Sequence, residues 1–387
     1  MRELRDRLAA APLPAEEEAR ERSWQVVRAA FAERERVPAR RWPSARVGAL
    51  ALALAVGAAA AAAAATPAGR DAVRELRRVV GVESATPTLA SLPAGGRVLL
   101  AGPGGAWVVA ADGGGRRLGG YVEATWSPFG RFVVAVAPGR RELVALEPDG
   151  GVRWTLARSG PVRLPRWGGT ATDTRVAYLS GSALRVVAGD GTGDRLLAPR
   201  VRPVAPAWRP GAGHVLAYVA GGGAVVAAEA DSGRVRWRSR PLAGVLQLDW
   251  SADGRRLLVR GAGGLSVLDG EGRERFELLR RGEAAPVTGA AWAGDGVAFV
   301  QSARGRSFVW LVPRLVPDAS AARKLFESAG RLGAVHVSPD GRWLLLPWPE
   351  ADQWLLVRAA GRPRVDGVAG IAARFGRRVA VAGWCCP

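Results

Sequence analysis

The stretch Trp126-Ser-Pro-Phe-Gly-Arg131 opens a pattern that returns through most of the chain. Close variants begin at Trp250 (Trp-Ser-Ala-Asp-Gly-Arg) and at Val337 (Val-Ser-Pro-Asp-Gly-Arg). The first residue of the phrase, which we name the tryptophan position, recurs at spacings of 41, 41, 42, 42 and 45 residues. It is filled by Trp126, Trp167, Trp208, Trp250, Trp292 and Val337. A fixed period near forty residues is typical of a repeat architecture.

A second marker keeps a constant distance from the tryptophan position. An aspartate that begins an Asp-Gly or Asp-Ser-Gly turn follows it after 23 residues in three consecutive repeats. These aspartates are Asp149, Asp190 and Asp231. Short runs of Val, Leu and Ala separate the two markers, and Asp-Gly tolerates the backbone angles of tight turns between antiparallel strands. Each repeat is therefore predicted to contain three or four short strands.

The repeats predict an all-β fold, a seven-bladed β-propeller over residues 85–387. A single four-stranded unit has two apolar faces, and a ring of units buries both of them. We expect the tryptophans to wedge between neighbouring blades as structural residues. The first repeat lacks a tryptophan, and counting back 23 residues from Asp112 puts Leu89 at its tryptophan position. Residues 370–383 read as half a unit that pairs with the first blade and closes the ring; eight blades are the alternative.

The composition limits the classes of partner. The 387 residues carry a net charge of +20, nearly all of it from arginine, because Lys324 is the only lysine. The arginines are scattered beside turns and form no helical stripe, so we do not predict nucleic-acid binding. Two adjacent cysteines, Cys385 and Cys386, exclude a disulfide framework. They are expected either to form a disulfide, with each other or with another chain, or to pack as a buried pair.

The residues before the repeats predict a membrane anchor. Residues 1–46 read as a helical segment followed by a basic linker, and its stripe Trp24, Val27 and Phe31 either docks a partner or belongs to an unpartnered amphipathic helix. Residues 47–65 carry no charge, and 19 residues at ~1.5 Å each are long enough to cross a core of ~30 Å. A soluble alanine-rich spacer and a cleaved signal peptide are the alternatives to this transmembrane helix. Residues 66–84 read as a basic juxtamembrane helix and linker.

The distribution of arginines sets the expected orientation. Five arginines precede the apolar segment closely and four follow it, a small excess on the N-terminal side. We therefore expect a single-pass protein of the cell membrane with a cytoplasmic N-terminus and an extracytoplasmic propeller. The oligomeric state is not predicted.

The repeated phrase resembles that of a known group of propellers. The stretches that begin at Trp126, Trp250 and Val337 are similar to the Trp-Ser-Pro-Asp-Gly phrase of TolB-like and WD40-like (PD40) repeats. That resemblance covers about residues 85–387. It implies a propeller that serves as a scaffold for other proteins.

A second resemblance involves the outer part of the repeat. The stretches 145–154 and 228–237 are similar to the Ala-x-Asp-x-x-Gly-x-x-x-Trp docking motif of PQQ-like propellers. That family includes quinone-dependent dehydrogenases and cofactor-free assembly lipoproteins. The dehydrogenases carry adjacent cysteines beside the quinone, a feature that Cys385 and Cys386 superficially match. The resemblance therefore also implies a quinoprotein oxidoreductase as the alternative function.

Residues suited to catalysis are scarce in this sequence. His214 and His336 are the only histidines, and each lies in or beside a predicted strand. No Cys/His metal spacing, glycine-rich phosphate loop with lysine, or serine nucleophile elbow occurs. We therefore predict no catalytic, metal-binding or cofactor-binding residue. The predicted function is non-enzymatic: a membrane-anchored module that binds a protein or a small ligand and has a possible sensory role.

Overall fold

The computed structural model describes residues 91–211, 213–262, 264–279, 285–315, 322–362 and 364–386. Within these residues the strands form seven four-stranded antiparallel sheets. The sheets are the blades of a β-propeller, numbered here from the N-terminus. The predicted all-β, seven-bladed fold is confirmed, and the eight-bladed alternative is wrong.

Six blades are each built from four consecutive strands that pair in chain order. Blade 2 contains β4 (Glu123–Trp126), β5 (Val133–Val136), β6 (Glu142–Leu146) and β7 (Val152–Ala157), and blade 3 contains β8 (Val162–Gly169), β9 (Thr174–Ser180), β10 (Ala183–Ala188) and β11 (Arg195–Ala198). Blade 4 contains β12 (Ala207–Trp208), β13 (Val215–Val219), β14 (Ala224–Glu229) and β15 (Val235–Pro241), and blade 5 contains β16 (Val245–Trp250), β17 (Arg256–Gly261), β18 (Gly264–Asp269) and β19 (Glu274–Leu279). Blade 6 contains β20 (Val287–Ala293), β21 (Gly296–Ala303), β22 (Arg306–Val312) and β23 (Arg323–Ala329), and blade 7 contains β24 (His336–Val337), β25 (Trp343–Trp348), β26 (Gln353–Arg358) and β27 (Val365–Ala369).

Blade 1 is assembled from both ends of the described chain. It contains β1 (Arg97–Gly102), β2 (Gly105–Val109), β3 (Gly115–Gly119) and the last strand, β28 (Ala380–Cys385). Strand β28 pairs with β1, with Val98 opposite Trp384, so the predicted closure of the ring by the C-terminal residues is confirmed. One strand closes it, because residues Ile371–Phe375 form a short helix, α1.

The closing strand also corrects the reading of the first repeat. Trp384 on β28 stands in blade 1 where Trp126 stands in blade 2, at the end of the first strand of the sheet. The tryptophan position of blade 1 therefore belongs to Trp384. Leu89, which the spacing assigned to it, lies outside the described residues. Counting along the sequence failed because this blade takes its first strand from the other end of the chain.

The first strands of the seven blades surround the axis. Strands β28, β4, β8, β12, β16, β20 and β24 contact one another in that order, and β24 contacts β28 again. The apolar core lies between the blades. Seven hydrophobic clusters occur in the described chain, and each combines residues of two neighbouring blades. Packing between blades, rather than within one of them, therefore holds the ring together.

The repeated phrase forms a turn after the first strand of the blade. In blade 5 the Ser251 hydroxyl accepts a hydrogen bond from the Arg256 N–H at 3.0 Å and donates to Asp253 at 2.6 Å. Asp253 also accepts the N–H of Arg255 at 3.0 Å. Gly254 follows with φ +65°, a conformation that glycine adopts without steric cost. The serine, aspartate and glycine of the phrase are thus turn-forming residues.

Three further predictions concern residues 1–84. The helical segment 1–46, the transmembrane helix 47–65 and the juxtamembrane segment 66–84 all lie outside the described residues. Within the described ranges, no helix has the length and apolar character needed to cross a bilayer.

Candidate functional site

A central channel with a cavity of about 580 Å³ runs between the first strands of the blades. Its wall is mostly alanine, valine, leucine and proline. Against this apolar wall stand six polar or charged side chains. They are Glu123, Arg166, Gln247, Asp249, Arg260 and His336.

Three of these side chains occupy one repeat position. Arg166, Asp249 and His336 each directly precede the tryptophan position, on β8, β16 and β24 of blades 3, 5 and 7. Equivalent positions on the first strands of a propeller lie at one level of the axis, so the three residues form a single layer of the channel. The four other blades have Thr125, Ala207, Ala291 and Gly383 there. A charged layer is therefore built from alternate blades.

Arg166 is a half-buried cation that lines the channel. Its Nη1 donates to the carbonyl oxygen of Pro165 at 2.9 Å. No carboxylate in the described part of the chain forms an ion pair with it, although Glu123 and Asp249 are close enough to act through their charge. Burial lowers the pKa of Arg166, and these two carboxyl groups oppose that shift. The guanidinium stays charged at neutral pH, with most of its donors unused.

Burial shifts the pKa values of Asp249 and His336 in opposite directions. Burial raises the pKa of Asp249 to about 7, against the backbone N–H of Trp292 and the charge of Arg166. Burial, together with the charge of Arg166, lowers the pKa of His336 to about 4. The Nε2 atom of His336 is buried and has no hydrogen-bond partner. At neutral pH the layer therefore holds a neutral imidazole and a carboxyl group close to its midpoint.

The other polar side chains of the channel already have partners. Glu123 pairs with Arg140 and accepts the N–H of Leu164 at 2.5 Å. Arg260 donates through Nε to the side-chain oxygen of Gln247 at 3.0 Å, and Gln247 donates to the carbonyl of a neighbouring blade. Among the described side chains of the channel, Arg166, Asp249 and His336 are consequently the polar groups without a side-chain partner.

The predicted tryptophan positions are distributed around the ring and form no ligand site. Trp126, Trp167, Trp250 and Trp292 are buried, while Trp208 and Val337 are half-buried. The indole N–H groups of Trp208, Trp250 and Trp292 each donate to a carbonyl of the preceding blade, at 2.9, 3.2 and 2.9 Å. The indole nitrogens of Trp126 and Trp167 have no hydrogen-bond partner. These side chains act in the contact between blades.

The three turn aspartates have two different roles. Asp149 accepts the N–H of Gly151 at 3.0 Å, and Asp190 accepts that of Thr192 at 2.9 Å, which closes each turn locally. Asp231 instead reaches other residues.

The Asp231 carboxylate links two blades. It accepts from His214 Nδ1 at 2.5 Å and from Arg175 Nε of blade 3 at 3.0 Å, and it pairs with Arg195 of blade 3. Burial alone would raise its pKa, but the hydrogen bonds from His214, Arg175 and Arg195 outweigh that effect and lower it to about 2. Asp231 therefore remains ionised and joins blade 4 to blade 3.

The docking tryptophans of the outer strands contact the next blade. The Trp154 indole packs at Gly191, where an added Cβ would lie 2.9 Å from the ring, and its Nε1 donates to the Gly189 carbonyl at 2.9 Å. The Trp237 ring likewise packs against Gly272 of blade 5, but its Nε1 has no hydrogen-bond partner.

The two cysteines are bonded to each other at the end of β28. The structure joins Cys385 and Cys386 by a disulfide, and both sulfur atoms lie close to Gly130 in the first turn of blade 2. They lie outside the wall of the central channel. In the residues that the structure describes, no group of three His, Cys, Asp or Glu side chains could hold a metal ion.

Comparison with known proteins gives one family match. Residues 200–312 match the family model described as outer membrane protein assembly factor BamB. The matched range runs from just before β12 to the end of β22, through blades 4 and 5 and most of blade 6. No characterised protein sequence matches the chain at a significant level.

Two solved structures align with this chain. The C-terminal WD40 domain of Sif2 is similar with a TM-score of 0.52 and 13% identity, over 71% of this chain and 83% of that one. A chain in the crystal structure of the mitotic checkpoint complex aligns with a TM-score of 0.49 and 15% identity, over 64% of this chain and 77% of that one. At such identity the Sif2 likeness supports the fold alone.

Proposed function

We propose that this propeller is a non-enzymatic scaffold that binds another protein. The observation that carries the proposal is the match of residues 200–312 to a family model named for an assembly factor. The contacts of Trp154 and Trp237 support the relationship to that family model, because both tryptophans lie in the PQQ-like motif and pack one blade against the next. We also propose that the serine-aspartate turns relate the repeats to TolB-like (PD40) propellers.

The outer rim of blades 2 to 4 is the surface best suited to a protein partner. Val152, Leu196 and Val235 lie on the outermost strands of these consecutive blades and are 59%, 52% and 48% exposed. Val152 and Val235 hold the same place, two residues before a docking tryptophan. Arginines flank all three, so the rim combines apolar side chains with the residue type enriched at interfaces.

Site-specific cross-linking tests the proposed scaffold. A photoreactive residue at position 152 is expected to give one discrete cross-linked product in the native host cell, and Val235→Asp in the same chain should abolish it. Phe129 supplies the control, because it is 63% exposed in the first turn of blade 2 and lies off the rim. Phe129→Asn should leave the product unchanged, since asparagine accepts the positive φ of that residue. Cross-linking that Val235→Asp does not affect would reject this rim.

We propose that residues 47–65 anchor the propeller on the outer side of the cell membrane. The uncharged run of 19 residues supports the anchor, and the arginine distribution supports a cytoplasmic N-terminus. The full chain should then stay in the membrane fraction after alkaline carbonate washing. In intact cells stripped of any outer barrier, added protease should degrade the propeller. Release by carbonate, or full protection of the propeller, would reject the arrangement.

The absence of enzymatic activity is part of the proposal. Its support is the channel, where the free polar groups are one guanidinium, one carboxyl and one imidazole from separate blades, without a nucleophile held by a base. The purified chain given PQQ and Ca²⁺ should therefore show no dye-linked oxidation of alcohols or sugars. Measured turnover would favour the quinoprotein alternative.

A further inference from the structure

We propose that the central channel binds a small carboxylate anion, held by the Arg166 guanidinium with Asp249 and His336 beside it. This inference goes beyond the scaffold role and does not depend on it. The layer formed by these three residues faces the channel, whereas the proposed protein-binding rim lies on the outermost strands.

The unused donors of Arg166 are the main reason. A guanidinium has five N–H donors, and the structure gives one of them, on Nη1, a partner in Pro165. Arg166 is half-buried and lines the channel, and no carboxylate of the described residues pairs with it, so its remaining donors face the channel. The planar donor fork of arginine matches the two oxygens of a carboxylate. A bound carboxylate would therefore satisfy the group that the protein leaves unsatisfied.

The surrounding charges favour one negative charge on the ligand rather than two. Arg166 and Arg260 supply the positive charges of the wall, and the charge of Glu123 is balanced by Arg140. Asp249 is the remaining carboxyl group; when ionised it would repel any anion, and a dianion most strongly. A bound carboxylate therefore requires the protonated form of Asp249, which donates a hydrogen bond. The layer can thus offer one carboxylate donors from Arg166 and Asp249, whereas the Nε2 atom of His336 is buried.

The size of the cavity fits such a ligand. A volume of about 580 Å³ lies within the range of ~300–1,000 Å³ common for small-molecule sites. Small side chains, among them Ala124, Ala205 and Ala290, leave the axis open beside Arg166. The apolar wall would contact the carbon chain of the ligand while the polar layer binds its head.

Calorimetric titration of the full chain tests the proposal, with propionate, succinate and inorganic phosphate as separate probes. Propionate is expected to bind one per chain, succinate no more tightly, and phosphate at least about tenfold more weakly than propionate. Arg166→Met should weaken propionate binding by about tenfold or more, the loss expected for charge-assisted hydrogen bonds. The matched control Arg255→Met removes the same charge from an exposed turn and should bind as the unmodified protein does.

Two further variants keep the test decisive if Arg166→Met does not fold. Ala334→Phe fills the channel from an exposed position of its wall and should weaken propionate binding without removing a charge. Asp249→Asn retains a donor and removes the negative charge, so binding at pH 8 should persist or tighten. The proposal is overturned if propionate does not bind, if phosphate binds more tightly, or if folded Arg166→Met or Ala334→Phe binds it normally.

Discussion

The indole of Trp208 packs directly against Gly168 of the preceding blade, and its Nε1 donates to the carbonyl oxygen of Arg166 at 2.9 Å. A Cβ atom at position 168 would overlap the Trp208 ring at Cγ. The contact therefore depends on a residue without a side chain in one blade and a large aromatic one in the next. It also ties the blade interface to the backbone of a channel residue.

Gly168→Ala should destabilise the propeller by about 1–3 kcal/mol, because the ring and a backbone segment must move apart to admit a methyl group. Chemical denaturation measures the free energy of unfolding. Gly139→Ala is the matched control, since a Cβ there meets nothing within 4 Å and its φ is not positive. Equal free energies for the two variants would contradict this account of the interface.

Removal of the closing strand should open the ring. A chain that ends at Arg378 lacks β28, so β1 presents an unpaired edge that can pair with another chain. We expect soluble oligomers and a broadened melting transition, measured by light scattering after gel filtration and by calorimetry. Trp384→Phe retains the strand and loses the hydrogen bond to Gly95, so it should keep the oligomeric state of the unmodified chain and lose about 1 kcal/mol of its free energy of unfolding. A truncated chain with an unchanged oligomeric state and melting temperature would show that closure is dispensable.

Asp231 should make the propeller sensitive to acid. Its pKa of about 2 lies below the ordinary value of 3.8, so its stabilising contribution is complete above pH ~4 and is lost as the pH falls towards 2. Asp231→Asn should lower the free energy of unfolding by about 1 kcal/mol at neutral pH and show a smaller loss between pH 4 and 2. Asp149→Asn, which affects one local turn, is the control. If Asp231→Asn left the acid dependence of the free energy of unfolding unchanged, that dependence would come from other groups.

Asp249 should give the stability of the propeller the opposite pH dependence. Its pKa of about 7 lies above the ordinary value of 3.8, so the folded state is favoured at low pH and loses stability as the pH rises from ~4 through 7. Asp249→Asn removes this penalty and should raise the melting temperature at pH 8 while leaving it nearly unchanged at pH 4. Thermal denaturation at the two pH values checks this, and an equal change at both would contradict it.

The sequence predicts the fold well because residues that make the contacts within and between blades recur along the repeats. The tryptophan position recurs because it packs between neighbouring blades, as Trp250 does, and the turn of Ser251 to Gly254 returns in blade 7, so the spacing counts the blades. The repeat spacing does not locate the tryptophan of blade 1, because Trp384 comes from the far end of the chain. Sequence spacing reports on neighbours along the chain, whereas ring closure joins residues that are far apart in it.

The charged layer of the channel was missed for a different reason. Arg166, Asp249 and His336 differ in chemistry, and each taken singly reads as an ordinary residue of a strand. The signal that could have found them is their shared place, one residue before the tryptophan position in alternate repeats. Their altered pKa values depend on burial, which spacing does not reveal.

The hydrogen bond between Trp384 and Gly95 joins residues 289 positions apart, and it has a consequence for the time course of folding. Hairpins within a blade form locally, typically in about 1–10 μs. The pairing of β28 with β1 joins two distant parts of the chain, and it carries the entropic cost of closing a very long loop. We therefore expect the pairing of β28 with β1 to be a late and slow step of folding. The chain is most exposed to capture by other chains during that interval.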